Sequence, residues 1–258
     1  MVGRITEVWQ YKVMLRSLVL SELRTRYKGS FLGFLWTFIN PLLMLVVYTM
    51  IFKFVMRVTV PHYAVFMFIG LLSWNMFATT VAASSSVVVR QSSLVKKIYF
   101  PREVLPLSVV GGSLINYLLS LLILLPVLIM NGYTPTSLWL FFPLILLVEV
   151  LFSCGLALAF SALTVFLRDL EHMLGIFLMA WFYVTPVVYS LAMIPPKMME
   201  VFKLNPMTDV VLALQQIFYY GSPPNWKMLV YGAGVSVVML LFGWGIFVKL
   251  NRRFAEEV

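Results

Sequence analysis

Residues 91–106, QSSLVKKIYFPREVLP, form a short charged segment between two long apolar runs. If those runs cross a bilayer, the segment is a loop on the side where cationic residues accumulate, which is the cytoplasm. Its cations are interleaved with apolar and aromatic residues, a pattern typical of a short amphipathic helix that docks onto a partner. Pro101 should end that helix, because proline lacks a backbone donor and disfavours helix in the residue before it. We call residues 91–106 the cationic loop.

The composition is that of a membrane protein. Of the 258 residues, 62% are hydrophobic and 11% are charged, whereas about a quarter of the residues in soluble domains are charged. Together with the long apolar runs, this predicts an all-α polytopic membrane protein. The formal charge of +9 fits basic cytoplasmic loops beside anionic lipid headgroups, so we expect membrane lipids and no nucleic acid as partners.

Six apolar runs are each close to the roughly 20 residues that cross the hydrocarbon core of a bilayer. They cover residues 31–55, 63–88, 105–130, 139–166, 173–191 and 228–249. An even number of spans places both termini on one side of the membrane. That side, which includes the cationic loop, holds 14 of the Lys and Arg residues against 5 on the other. Both termini are therefore predicted to be cytoplasmic.

Two segments are predicted to be helical without crossing the membrane. Residues 1–29 combine many cations with a tryptophan and moderate hydrophobicity, which favours an amphipathic helix in the membrane interface over a solvated basic leader. Residues 192–227 are too interrupted by proline to span and too apolar for a free loop. Asn205 as N-cap, Pro206 at the first helical position and Asp209 three residues later predict a helix over 206–220. We expect two short re-entrant helices here, forming an outer gate.

No catalytic or metal-binding pattern is present in the sequence. It has two histidines and one cysteine, and no glycine precedes a lysine, so there is no phosphate-binding loop. We therefore predict no metal site, no cofactor in this chain and no enzymatic activity; any ATP and Mg²⁺ must be bound by another chain. Glu149 is the only carboxylate well inside an apolar run. It leaves open an ion-coupled secondary carrier, although a structural hydrogen bond or subunit contact is the preferred role.

Aromatic side chains concentrate on the first and fifth apolar runs. Phe34, Phe38 and Phe52 share one face of the first run, with Tyr48 at its edge, and the fifth run includes Phe177 and Trp181. Such residues are commonly lipid-facing bulk or interfacial anchors. The alternative is that they line a channel and offer stacking surfaces to sugar rings.

Four stretches resemble one family of transporters. RTRYKGSFLGFLWTFINPLL (24–43), LVKKIYFPREVLP (94–106), LNPMTDVVLALQQIFYYGSPPNW (204–226) and the terminal FAEEV are similar to permeases of type-2 ATP-binding-cassette exporters. The closest similarity is to the branch that exports O-antigen, capsule or teichoic-acid polymers. The stretches follow the family's order over the whole chain, which the resemblance implies is one permease domain, 1–258. Residues 31–190 would hold spans one to five, 192–227 the outer gate, and 228–258 span six with a cytoplasmic tail.

The resemblance implies a homodimer of this permease with two copies of a separate ATPase in the bacterial cytoplasmic (inner) membrane. The expected substrate is a polysaccharide linked to a polyprenyl-diphosphate lipid. Arg24, Arg26 and Lys28 would receive the diphosphate, or serve only as positive-inside anchors. The ATPase would bind the cationic loop and, as a smaller contact, residues 168–172. The predicted docking residues are Leu94, Lys96, Lys97, Tyr99, Phe100, Arg102, Glu103, Arg168, Asp169 and Glu171.

Overall fold

A computed structural model describes residues 2–27, 32–51 and 61–257, and all regular structure in this part of the chain is helical. The all-α prediction is thereby confirmed. The helices are α1 (Val2–Gln10), α2 (Lys12–Tyr27), α3 (Trp36–Thr49), α4 (Tyr63–Ser85), α5 (Val87–Arg90), α6 (Ser92–Lys97), α7 (Val104–Met130), α8 (Phe142–Phe166), α9 (Leu170–Tyr183), α10 (Met199–Lys203), α11 (Pro206–Gln215), α12 (Trp226–Leu250) and α13 (Phe254–Glu257).

Four helical segments are long and apolar enough to cross a membrane: Tyr63–Ser85, Val104–Met130, Ser137–Phe166 and Trp226–Arg253. They match the second, third, fourth and sixth predicted spans. The first and fifth correspond to the shorter apolar helices α3 and α9, each of 14 residues. At 1.5 Å per residue such a helix is about 21 Å long, less than the roughly 30 Å hydrocarbon core. Six complete spans therefore remain a prediction.

The bundle is held together by close contacts along α4, α8 and α12. α8 and α12 approach each other at two glycines, Gly155 and Gly243. A methyl group added to Gly155 would lie 2.6 Å from main-chain atoms of Met239 and Leu240, and one added to Gly243 would overlap the main chain of Gly155. Such small residues let membrane helices pack at short range. α4 is buried along most of its length, so it forms the centre of the subunit.

The N-terminal segment is helical, as predicted, with one interruption at Tyr11. α2 crosses the beginning of α7, where consecutive glycines give it room: a methyl group at Gly111 would lie 2.9 Å from Val19 Cγ2, and one at Gly112 would lie 3.4 Å from Glu22 Cβ. The amphipathic helix therefore lies against the bundle; its position in the membrane interface remains a prediction.

The segment between α9 and α12 contains the predicted helix start. The side chain of Asn205 caps α11 by accepting a hydrogen bond from the backbone N–H of Met207 at 3.1 Å, and Pro206 is the first helical residue. A π-helical turn, Gln216–Tyr220, continues α11 and ends at Gly221, whose φ of 61° suits glycine. The helix predicted over 206–220 is confirmed. Re-entry into the membrane stays a prediction.

Candidate functional site

The cationic loop folds as a short helix followed by an extended turn. α6 ends at Lys97, and Ile98 has extended backbone angles, φ −129° and ψ 137°. Within α6, Val95 is buried in the bundle and Leu94 packs partly against the same core, whereas Lys96 and Lys97 are exposed. The local amphipathicity predicted from the sequence is therefore present, with the two lysines on the free side.

Side chains beyond α6 divide into an exposed pair and a buried pair. Ile98 is 56% exposed and Tyr99 83%, so both side chains are accessible to a partner. Phe100 and Glu103 were also predicted to contact the ATPase, but they are only 5% and 2% exposed. In this subunit they pack inside the loop, because Phe100 belongs to the core formed with α7 and α8. Their contact with a partner stays a prediction.

Both ends of the described chain lie against the cationic loop. Nη1 of Arg102 donates hydrogen bonds to the backbone oxygen of Asn251 at 2.5 Å and to its Oδ1 at 3.1 Å. The same guanidinium lies 5.9 Å from the ring centroid of Phe254, a residue buried between α8 and α12. At the other end of the chain, the Tyr11 hydroxyl donates to the backbone oxygen of Tyr99 at 3.5 Å. The two ends therefore lie on the same side as the loop.

Arg102 is thus turned inward toward the C-terminal segment. Burial lowers the pKa of Arg102, and the adjacent carboxylate of Glu103 opposes that shift. An arginine stays charged despite such a shift, so Arg102 can bind the C-terminal segment as a cation. Lys96 and Lys97 remain exposed to a partner. A cavity of about 450 Å³ lies here, between Glu7, the loop and residues 251–252. Asn251 was missed by sequence reasoning, since a single polar residue after a span has no distinctive local pattern.

The second predicted contact is also exposed. Arg168, Asp169 and Glu171 lie at the start of α9 and face away from the core. The preceding Phe166 ring lies 6.3 Å from that of Phe254. The structure therefore brings residues 168–171 to the same end of the subunit as the cationic loop, as a docking surface for one partner would require.

Of the predicted diphosphate-binding residues, only Arg24 has a described side chain, and it is exposed. Lys28 lies outside the described residues. Arg26 falls within α2, but its side chain lies outside the described part. The role of these three residues therefore remains a prediction.

The predicted channel aromatics are only partly brought together. Tyr48 of α3 and Phe182 of α9 have ring centroids 6.5 Å apart, and they border a cavity of about 290 Å³ that is also lined by Trp74 and Tyr183. We call this cavity the aromatic groove. Sequence reasoning missed Trp74, although Tyr63, Phe66, Trp74 and Phe77 recur at i, i+3, i+11 and i+14 in the second predicted span and so share one helical face.

Other predicted channel residues lie elsewhere. Trp181 packs between Phe77 and Phe152, with centroid distances of 5.2 and 5.9 Å, and Phe177 is exposed beside it. Phe38 is half-buried. Phe52 and the side chain of Phe34 lie outside the described part of the chain. A channel-lining role for these residues stays a prediction.

The predicted gate residue Asn205 joins α11 to the end of α9. Besides capping α11, its Oδ1 accepts a hydrogen bond from Trp181 Nε1 at 3.0 Å, and its Nδ2 donates to Thr185 Oγ1 at 2.9 Å and to the Val184 oxygen at 3.3 Å. Asp209 is buried against Gly232 of α12, and neither carboxylate oxygen has a hydrogen-bond partner among the described residues. Burial raises the pKa of Asp209 to about 7.

Glu149 has a neutral hydrogen-bond partner. It is fully buried in α8, and its Oε1 accepts a hydrogen bond from the Ser73 hydroxyl of α4 at 3.0 Å. This contact agrees with the structural role preferred from the sequence. Within the described ranges, no cluster of His, Cys, Asp and Glu has an arrangement that could hold a metal ion.

An all-helical bundle with four membrane-length helices among the described residues defines the class of polytopic membrane proteins. The comparison with known families is specific: residues 14–219 match the family of ABC-2 type transporters. This match covers most of the chain, so the protein belongs to that family.

Its relatives include O-antigen export permeases. The chain is 40% identical over the full length of both proteins to an O-antigen export system permease protein, RfbA, from Myxococcus xanthus. It is 36% identical to an RfbA from Klebsiella pneumoniae, over 91% of each chain. A polysialic acid transport protein, KpsM, from Escherichia coli is 24% identical over 92% of this chain and 93% of its own.

Proposed function

We propose that this chain is the permease subunit of an exporter that moves a polysaccharide of the O-antigen or capsule type out of the bacterial cytoplasm. The observation that carries the proposal is its similarity, over the full length, to an O-antigen export permease. Teichoic acid remains a further possible cargo class within the proposal.

The proposed complex contains two copies of this permease and two copies of a separate ATPase that supplies the energy. Lys96, Lys97 and Tyr99 are the predicted docking residues that are exposed in the cationic loop, and they would bind an acidic, partly apolar cleft on the ATPase. Exposed residues 168–171 would form the second, smaller contact. Movement of the ATPases on binding nucleotide would tilt the permease helices as rigid bodies.

The proposed substrate is linked to a polyprenyl-diphosphate lipid and enters from the inner leaflet of the cytoplasmic (inner) membrane. The termini would lie in the cytoplasm, since they contact the cationic loop and that side has the larger number of cations. Arg24 is exposed and suited to bind a phosphate. The polymer would then pass along the aromatic groove, whose rings can stack on sugars, and leave past the outer gate.

Charge reversal tests the docking surface. The double variant Lys96→Glu and Lys97→Glu should lose co-purification of the ATPase and stop export, while membrane insertion is unchanged. A matched control reverses Lys197 and Lys227, two exposed lysines outside the cationic loop. Co-purification that survives in the first variant, or is lost equally in the control, would remove the docking role.

A further inference from the structure

A third cavity, of about 430 Å³, lies between α3, α4 and α7. Each helix contributes one face to it, with residues at positions i, i+3, i+4 and i+7. The i+3 position is an asparagine in all three helices: Asn40, Asn75 and Asn116. Asn75 and Asn116 lie near the middle of their helices, so this polar cavity is at mid-bilayer depth if those helices span. We call it the asparagine cavity.

The lining can form hydrogen bonds but has no carboxylate or cation among the described residues. α7 alone contributes Ser113, Asn116, Tyr117 and Ser120 to it. An uncharged lining does not offset the charge of a diphosphate. It is suited to a neutral ligand that both donates and accepts hydrogen bonds.

One side chain in the wall has an unfilled hydrogen-bonding capacity. Thr37 is 2% exposed, and its hydroxyl has no hydrogen-bond partner among the described residues. Four residues later, Pro41 also lines the cavity. Because proline has no N–H, the backbone oxygen of Thr37 lacks the donor that an α-helix normally provides. Buried polar groups in folded proteins are usually paired, so this part of the wall points to a ligand.

The asparagine cavity adjoins the aromatic groove, because Met44 and Asn75 line both. Among the described residues, the Asn75 amide donates only to the Met44 sulfur, at 3.4 Å, and a thioether is a weak acceptor. That amide can therefore turn to a better acceptor at little cost. A polymer lying in the groove would bring its hydroxyl groups to this point.

We propose that the asparagine cavity binds an uncharged sugar unit of the exported polymer. This inference rests on the proposed function and adds a hydrogen-bonding site next to the stacking surface of the groove. The volume is within the roughly 300–1,000 Å³ of small-ligand sites. Hydroxyl groups of the sugar supply the acceptor that the Asn75 amide lacks and the partners that Thr37 lacks among the described residues, and the rings of Trp36 and Tyr117 offer apolar contact.

Threonine-to-valine variants separate ligand binding from packing, because the two side chains have the same shape. Thr79 also lines the cavity, and its hydroxyl donates within α4 to the Asn75 backbone oxygen, so it would accept a hydrogen bond from the sugar. Thr37→Val and Thr79→Val should each slow export about fivefold, the effect of one hydrogen bond lost to the sugar. Thr80→Val is the matched control, since Thr80 follows Thr79 on α4 but does not line the cavity. Membrane level and ATPase co-purification should stay normal in all three. Thr37→Val should also match or exceed the wild-type melting temperature, because it removes an unpaired buried hydroxyl.

The outcomes distinguish this inference from the proposed function. If the wild-type complex exports no polysaccharide, the proposed function fails. If wild type exports and both Thr37→Val and Thr79→Val export at the wild-type rate, the cavity is not a sugar site.

Photocrosslinking supplies a second readout in cells whose polymer is labelled with tritiated hexose. Benzoylphenylalanine at position 79 should capture the label, whereas the same group at exposed Leu122 of α7 should not. If export continues but the permease with benzoylphenylalanine at position 79 carries no label, the cavity holds only water and the proposal is overturned. A crosslinked permease dimer in place of the label also overturns it, since a second copy of the chain would then cover the cavity.

Discussion

Replacing Asn205 with alanine should destabilise the permease far more than removal of an ordinary helix cap. The Asn205 side chain is nearly buried and forms four hydrogen bonds: one caps α11, and three bind Trp181, Val184 and Thr185 at the end of α9. Alanine leaves all of these groups without that partner. Because Asn205 is a contact between two helices, we expect its loss to loosen α11 from α9.

The expected loss is about 3 kcal/mol: about 1 kcal/mol for the helix cap and about 1 kcal/mol for each of the bonds to Trp181 and Thr185. The longer bond to the Val184 oxygen, at 3.3 Å, adds little. For a chain of this size, that corresponds to a melting temperature about 6–12 °C lower. Thermal unfolding of the purified permease in detergent measures the shift. Asn205→Asp should give an intermediate result, because it keeps the two acceptor contacts and loses the two donor contacts.

Asn225→Ala is the matched control. Asn225 caps α12, but it is exposed and accepts one long hydrogen bond, from the Met228 N–H at 3.4 Å. Its loss should cost no more than about 1 kcal/mol. If the two alanine variants melt within about 2 °C of each other, the link between α9 and α11 contributes little, and the reasoning is refuted.

Two more variants test packing and burial. Gly243→Ala should lower the melting temperature by several degrees, because the added methyl group overlaps the main chain of α8. Gly245→Ala is the control: its methyl group meets nothing within 4 Å, so this variant should be neutral or slightly stabilising. Equal melting temperatures for the two variants would contradict the close crossing of α8 and α12. Burial raises the pKa of Asp209 from 3.8 to about 7, so the folded state keeps a proton that the unfolded chain releases. Stability should therefore fall as pH rises from about 4 to 7 and then level off. Asp209→Asn should lack this fall in stability between about pH 4 and 7. If the melting temperatures of wild type and variant change with pH in parallel, Asp209 does not cause the fall.

Hydropathy predicted much of the fold because a bilayer constrains helix length and polarity directly. It located the four long helices within a few residues and identified the cationic loop between two of them. It was less informative for α3 and α9. α3 begins at Trp36, within its apolar run, and α9 ends at Tyr183 and is followed by turns and bends over residues 184–189. An apolar segment in a turn has the same hydropathy as one in a helix, so composition cannot mark where the helix ends.

The interior of the cationic loop could not be predicted from its sequence. Tyr99 and Phe100 are adjacent aromatic residues of similar hydrophobicity, yet one is exposed and the other buried. α6 is six residues long, too short for its periodicity to assign faces beyond its end. The burial of Phe100 depends on contacts with α7 and α8, which come later in the chain. Only the folded arrangement separates the residues that hold the loop in place from those that remain free to bind a partner.

The asparagine cavity shows the same limit for helices. The sequence places Ser113, Asn116, Tyr117 and Ser120 on one face of an apolar helix, and that stripe can be read from its spacing alone. By itself the stripe fits a helix contact as well as a binding site, since polar side chains also join membrane helices. The difference lies in what the stripe faces. α7 presents it to equivalent faces of α3 and α4, and the three faces leave a cavity instead of closing on one another. The Thr37 hydroxyl, which has no hydrogen-bond partner among the described residues, is the observation that favours a binding site over a helix contact.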